Sequence, residues 1–455
     1  MIVLTHVCRA WRELFTSRSS LWTDFTCMDA DKTLVYLERS KSSPTINLSL
    51  RNYGNPYSNP SPPNLFFQTI PHIRERLKSL YAWGLAECLQ DILDHLSRPA
   101  PLLEDLSIEC RGKLKPDSTL TLTPALFSGD LSSLRTLDLQ DVNTNLPWRN
   151  MVNLTSLTLH EIRPVSMSQL LDFFESAPHL RDVALQFEIP TGSDQTGRLV
   201  SLADLEEMYI DGGPSSDLLD HLLIPVGARL SAVVEFSSSH PTRFLSNLRN
   251  FPDFTTIKLT ADPEPRIKFS GPKGNVDLNH ITYSDDELGL VLEFLALFDT
   301  SGTKQLKIHF DHNPSGDQSY QILLPMKTLR TLRLEYSPSS HDFIQVLDPS
   351  KSSSGVVVCP KLEELIIQPN GKLDINDVIG MAAARESRGA KLNSLWIFNP
   401  LEPKYAQSDV LKLKGHVSRV EVIEWTGMTK RMTRMIKEAG DIGSLEESRL
   451  IMTGE

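Results

Sequence analysis

Apolar residues recur along this chain in one phrase, Leu-x-x-Leu-x-Leu. The early copies are Leu103/Leu106/Ile108, Leu134/Leu137/Leu139, Leu154/Leu157/Leu159, Leu180/Val183/Leu185 and Leu205/Met208/Ile210. The phrase continues at Phe254/Ile257/Leu259, Leu278/Ile281/Tyr283, Leu329/Leu332/Leu334, Leu362/Leu365/Ile367, Leu392/Leu395/Ile397 and Val417/Val420/Val422. Weaker copies stand at Leu77/Leu80, Leu230/Val233 and Leu306/Ile308. The last two apolar positions are two apart and so share one face of a short strand. The first, three earlier, anchors the turn leading into it. Strands this short cannot bury an apolar face alone, but a parallel stack of them can. The core is therefore expected to include Leu137, Leu157, Val183, Leu332 and Leu365.

Segments between the phrases read as helices. In residues 168–177, Leu170, Leu171 and Phe174 share a face, Ser166 or Ser168 can cap the start, and Pro178 stops the end. Residues 217–223 (capped by Ser215 or Ser216), 285–298 and 374–386 read the same way. Polar, proline-rich stretches at 52–64, 338–340 and 348–355 read as loops. Copies start mostly about 20 to 33 residues apart, close to the leucine-rich-repeat period. The expectation is an α/β chain: a leucine-rich-repeat solenoid with a curved parallel sheet and outer helices or loops. Irregular repeats would fill 71–425 as one continuous array, after a polar loop at 51–70 and before a helical cap or tail at 426–455. Regular repeats place Asn or Cys three residues after the phrase. Here that place holds Val142, Ile162 and Glu188, and only Asn370 fits, so variable turns and uneven curvature are expected, with a break in the horseshoe as the alternative to a continuous array.

Residues between and beside the strand leucines face away from the core and should line up in columns on the concave side. They read Thr136, Asp138, Gln140; Ser156, Thr158, His160; Asp182, Ala184, Gln186; and Glu207, Tyr209, Asp211. Later columns read Thr331, Arg333, Glu335; Glu364, Ile366, Gln368; and Ser394, Trp396, Phe398. The early part is polar to acidic, and the late part presents Ile366, Trp396 and Phe398 unless a C-terminal cap covers them. Asp138, Thr158, Tyr209, Arg333, Ile366 and Trp396 are the expected contacts for a protein or peptide, with Tyr209 or Trp396 as anchor.

Composition narrows the function. The chain has 455 residues, 40% hydrophobic and 23% charged, ordinary for a globular protein, and a formal charge of −11. That charge argues against a general nucleic-acid binder. No segment approaches a membrane span or a signal peptide. Cys8, Cys27, Cys88, Cys110 and Cys359 are too scattered for a zinc site or a disulfide framework, which suggests reduced thiols in the cytoplasm or nucleus. No nucleotide-binding, zinc-protease or serine-hydrolase signature occurs. His6 near Cys8 lacks further ligands, and Asp285-Asp286-Glu287 reads as the acidic first turn of a helix. The run Lys430, Arg431, Arg434 and Lys437 reads as the solvated face of a terminal helix. No enzyme activity, cofactor or metal is expected.

The first 50 residues differ. Val7, Trp11 and Leu14 fall at helical spacing, followed by a polar turn and Leu21-Trp22. An amphipathic helix over 31–40 and an alternating strand, Ile46-Asn-Leu-Ser-Leu, come next. Val7-Cys8-Arg9-x-Trp11-Arg12-x-Leu14 with Leu21-Trp22 resembles the second half of an F-box. The segment Tyr36-Leu-Glu-Arg-Ser-Lys-Ser with Leu48-Ser-Leu is similar to the joining segment of F-box proteins of mushroom-forming fungi. The resemblance implies a substrate-recognition adaptor of a cullin-type (SCF) ubiquitin ligase. Val7, Cys8, Trp11, Leu14 and Trp22 would grip the linker subunit that joins the cullin, and the repeats would hold the substrate. The family's opening Leu-Pro-x-Glu helix is not seen before Val7. Linker binding is therefore expected to be weak or absent unless such a helix is added, and a repeat scaffold without ligase coupling is the alternative. Trp11 and Trp22 are expected to pack the N-terminal helices onto the first repeat.

Overall fold

The computed structural model describes residues 8–424 apart from 28–29, 52–72, 113–119, 163–165, 188–197, 212–215, 226, 235–253, 262–264, 272–273, 281–290, 293–294, 297, 311–313, 338–339, 353–354, 370–372 and 400–404. The chain divides into two compact units, Met1–Pro252 with Lys273–Tyr283, and Asp253–Pro272 with Ser284–Glu455. Each is mixed α/β and built on a mostly parallel sheet.

The first unit opens with helix α1 (Arg9–Ser17), a 3-10 turn (Ser19–Trp22), strand β1 (Asp24–Cys27), helix α2 (Ala30–Arg39) and strand β2 (Ile46–Arg51). Then come β3 (Leu77–Gly84), α3 (Ala86–Asp94), β4 (Asp105–Cys110), β5 (Thr121–Leu122), β6 (Thr136–Gln140) and β7 (Asn143–Thr144). They are followed by β8 (Ser156–His160), α4 (Met167–Ser176), β9 (Asp182–Gln186), β10 (Val200–Ser201) and β11 (Glu207–Asp211). The unit's later elements are α5 (Ser216–Leu219), β12 (Leu222–Leu223), β13 (Arg229–Val234) and β16 (Gly274–His280). Parallel pairing runs β1-β2-β3-β4-β6-β8-β9-β11-β13-β16.

The second unit holds β14 (Thr256–Ala261), β15 (Pro265–Gly271), β17 (Gln305–His309), α6 (Gly316–Leu323), β18 (Thr331–Ser337) and α7 (Ser340–Leu347). It continues with β19 (Glu364–Pro369), α8 (Ile375–Ser387), β20 (Ser394–Asn399), α9 (Gln407–His416) and β21 (Arg419–Glu424). β14-β17-β18-β19-β20-β21 pair in parallel, while β14 and β15 are antiparallel. That hairpin departs from an all-parallel stack. β15 alternates, with Ile267 and Phe269 buried against Leu259 and Ile257, its register partners in β14.

The phrase sets the register. Leu106, Leu137, Leu157, Val183 and Met208 stand at matched positions in successive strands, as do Leu306, Leu332, Leu365, Leu395 and Val420. Leu137, Leu157, Val183, Leu332 and Leu365 are all buried. The first leucine of the phrase closes a tight turn. The N–H of Leu134 donates to the Leu131 carbonyl (3.1 Å), and Leu154 to Met151, Leu180 to Ala177, Leu205 to Leu202, Leu329 to Met326 and Leu362 to Cys359 do the same. The residue three before the phrase is itself buried each time, so the repeat carries a further apolar position upstream of the three read from the sequence.

Two copies sit in another register. In β13, Leu230 and Ala232 alternate inward, which puts Val233 on the opposite face, because Leu230 pairs with Met208. In β16, Val276 and Leu278 are the buried apolar positions, with Asp277 buried between them, so Leu278 lies within a strand and not in the turn before one. Ile281 and Tyr283 lie outside the described residues, as do Asn370, Glu188 and most of the helix expected over 285–298.

Where an Asn ladder would close the turn, this chain uses a left-handed residue. Asp141 (φ 51°) and Glu161 (φ 48°) follow β6 and β8, a conformation most L residues avoid. Their N–H groups donate to the carbonyls of His160 and Gln186 in the next strand (2.9 and 2.8 Å). Val142 and Ile162 then turn into the core. Apolar side chains occupy the Asn place because there the backbone supplies the hydrogen bonds itself.

Candidate partner-binding surface

The strand register aligns the outward residues of the first unit into rows. One row passes through Asp24, Asn47, Ser79, Asp105, Thr136, Ser156, Asp182 and Glu207. The next passes through Thr26, Ser49, Tyr81, Ser107, Asp138, Thr158, Ala184 and Tyr209. Neighbouring members are about 4.8 Å apart, the spacing of paired strands. Asp138, Thr158 and Tyr209 lie in this second row, partly accessible, so the expected early contacts do share one face.

Hydroxyls orient the carboxylates. Ser79 donates to Asp105 (2.6 Å), Ser107 to Asp138 (3.1 Å) and Tyr209 to Asp211 (2.8 Å). Burial raises the Asp138 carboxyl above its ordinary value, and the like charge of Glu109 adds to that. The Ser107 hydrogen bond and His160 pull the other way. Glu109 differs: Arg111 grips it at 2.6 Å and holds it below its ordinary value.

At the β1 end, the rows and α2 enclose a cleft of about 600 Å³, lined among others by Asp24, Lys32, Thr33, Tyr36, Asn47, Ser49, Ser79, Tyr81, Asp105 and Ser107. The volume is in the range of ligand sites. The outward columns named from the sequence begin at β6 and so leave these residues out: β2 reads as a lead-in and β3 as a weak copy, while β4 carries a full copy of the phrase. The signal is present all the same: Ile46-Asn-Leu-Ser-Leu and Asp105-Leu-Ser-Ile alternate polar and apolar just as the better copies do.

The outward face of the second unit is different. Lys307, Arg333, Ile366, Trp396 and Glu421 form one row. Lys307 and Arg333 both pair with Glu335 (2.9 and 2.6 Å), and burial lowers the Lys307 ammonium from its ordinary value while Glu335 opposes the shift. Ile366, Trp396 and Phe398 do not stand exposed as a free anchor. They are buried (3%, 8% and 5% accessible) in one cluster with Ile423 packed on it. The Trp396 indole donates to Glu364 (3.1 Å), and the Arg419 guanidinium lies 4.8 Å from its ring centre. Adjacent large side chains one strand apart shield each other, which the alternation alone does not reveal.

No family model matches the chain, and no curated protein matches it either.

The N-terminal residues separate into two groups. Trp22 is fully buried, its indole donating to the Phe15 carbonyl (2.6 Å), edge-on to Tyr36 and beneath Arg39. Trp11 does not pack onto the first repeat. It is 47% accessible and Leu14 52%, and α1 buries no residue. Trp22 takes the sheet-side slot through its 3-10 turn, leaving Trp11 tilted against Phe15 on the same helix (5.5 Å). Cys8 is exposed, and Val7 lies outside the described residues.

Among the described residues no three His, Cys, Asp or Glu side chains gather as a metal site. Nor is any helix among them long and apolar enough to cross a membrane. Burial pushes the Cys359 thiol up to about 12, which makes it a packing group and no nucleophile.

Proposed function

We propose that the chain is a leucine-rich-repeat solenoid acting as the substrate-recognition adaptor of a cullin-type (SCF) ubiquitin ligase. In this reading it binds a protein partner through the outward strand face and carries no catalytic step of its own. The solenoid part draws support from the repeated turn and register that the phrase produces in both units. The observation carrying the ligase part is α1. A nine-residue helix that presents Trp11 and Leu14 to solvent and buries nothing is poorly explained as a self-sufficient cap. Exposed aromatic and aliphatic side chains on one helix are what a docking partner covers. The residues carrying the F-box resemblance include these two.

The test is recovery of the cullin-linker subunit by the chain, with and without an F-box opening helix fused upstream. The fused form should retain the subunit and the unfused form little of it. Trp11→Ala with Leu14→Ala should cut recovery by the fused form at least tenfold while circular dichroism is unchanged. If neither form retains the subunit, the chain is a repeat-based binding scaffold without ligase coupling, because the strand face does not depend on α1.

A further inference from the structure

The two outward rows described for the first unit carry no lysine or arginine from β1 to β11, yet they hold Asp24, Asp105, Asp138, Asp182 and Glu207; the first cation is Arg229 on β13, which pairs with Glu207 at 3.5 Å and leaves the four aspartates as the acidic stretch. Asp105 and Asp138 accept from serine hydroxyls, which orient a carboxylate without neutralising it. Burial and the neighbouring Glu109 make the charge of Asp138 costly, and an arriving cation would remove that cost. Beside these groups lies the cleft of about 600 Å³, whose lining includes the carboxylates of Asp24 and Asp105, one ammonium, Lys32, and the rings of Tyr36 and Tyr81. Carboxylates with hydroxyls and aromatic rings suit a guanidinium or ammonium on an aliphatic stem. An acidic segment would meet like charge at four places in the first row and at Asp138 in the second, with no cation in either row before Arg229.

We propose that this strand face docks an extended, arginine- and lysine-bearing segment of the partner protein, one basic side chain of which enters the cleft beside Asp105. The proposal rests on the reading of this face as the partner surface and adds the partner's chemistry. Successive residues of an extended segment advance about 3.3 Å and alternate sides, so every second side chain can reach down to the rows. Bidentate pairing favours arginine over lysine at the carboxylates.

The probe is a fluorescein-labelled octapeptide of alternating arginine and serine, with an alternating glutamate–serine octapeptide as its counterpart. Binding to the full chain is read by anisotropy near physiological ionic strength. The basic peptide should bind and the acidic one should not. Asp105→Asn with Asp138→Asn should weaken binding at least tenfold. Asp317→Asn with Asp409→Asn makes the same change of net charge on α6 and α9 of the second unit and should weaken it less than twofold. Circular dichroism of both double variants guards against unfolding, and the amide oxygen that Asp105→Asn leaves in place can still accept from Ser79. Equal losses in the two double variants would mean attraction to net charge alone and would overturn the proposal, as would absence of binding. Recovery of the linker subunit by a chain that ignores the basic peptide would leave the adaptor reading standing and remove this one. Peptide binding without linker recovery would do the reverse.

Discussion

Leu137 and Leu332 hold the same place in their phrases, one in each unit, and both have no accessible surface. Leucines stand beside them in the neighbouring strands, Leu106 and Leu157 for the first and Leu306 and Leu365 for the second. Truncation of either to Ala should cost about 2–5 kcal/mol, because the surrounding strands are tied by ladders and cannot collapse into the void. Urea midpoints of the two variants check this, and unchanged midpoints would mean the register is wrong. Asp138 works in the opposite direction. Its carboxyl titrates above its ordinary value in the fold, mainly through burial. Such a group costs stability that is absent below its unfolded pKa and fully present above its folded one. Asp138→Asn should therefore raise the melting temperature near pH 7, and the gain should shrink toward zero as the pH falls through the carboxylate range. Calorimetry at the two extremes decides it: a variant equally stabilised at both would place the effect in packing, not charge.

Helices form where local chemistry and burial agree. Ser166 caps α4 through a full capping box with Gln169, and Ser315 caps α6 through the same box with Gln318. Ser166→Ala and Ser315→Ala should each cost about 1 kcal/mol, seen as a lowered melting temperature that Ser→Asp at the same sites largely restores. A start at Ser166 or Ser168 and a stop at Pro178 are legible, since caps and prolines act on neighbours in sequence, and the fold takes Ser166. Also legible is α8, whose cap Asp374 accepts from the Asn376 N–H. The helix expected over 217–223 is cut to one turn for a tertiary reason: Leu222 and Leu223 pair with Val200 and Ser201 as a short ladder. A pairing partner some twenty residues away is invisible to local periodicity. The β14–β15 hairpin escaped for a similar reason, because the alternation of Ile267 and Phe269 carries no Leu phrase. The candidate surface was half legible. Alternation gave the rows through Asp138, Thr158 and Tyr209, but not the wall that α2 adds to the cleft or the mutual burial of Ile366, Trp396 and Phe398. Those depend on what lies across the strands.

At the scale of the whole molecule, parallel sheets built by stacking must end somewhere, and a terminal strand offers unpaired backbone groups to other chains. Among the described residues β1 has β2 as its ladder partner and β21 has β20. β1 is only four residues long and carries Asp24, and a short, charged strand makes a poor template. β21 is longer, Arg-Val-Glu-Val-Ile-Glu, with Val420 buried and Arg419 and Glu421 on the outward side, paired at 2.8 Å. The two charges stabilise little as a surface pair. Their position points instead to blocking edge-to-edge growth, since an incoming strand would have to bury both. Replacing Arg419 and Glu421 together by Val would leave a six-residue strand of nearly unbroken β-branched, apolar character. That variant should fold yet self-associate, its light-scattering mass rising with concentration while the parent's stays constant. Arg419→Lys with Glu421→Asp keeps the charges and should behave like the parent. A valine variant as monodisperse as the parent would show that some other feature of the chain guards this edge.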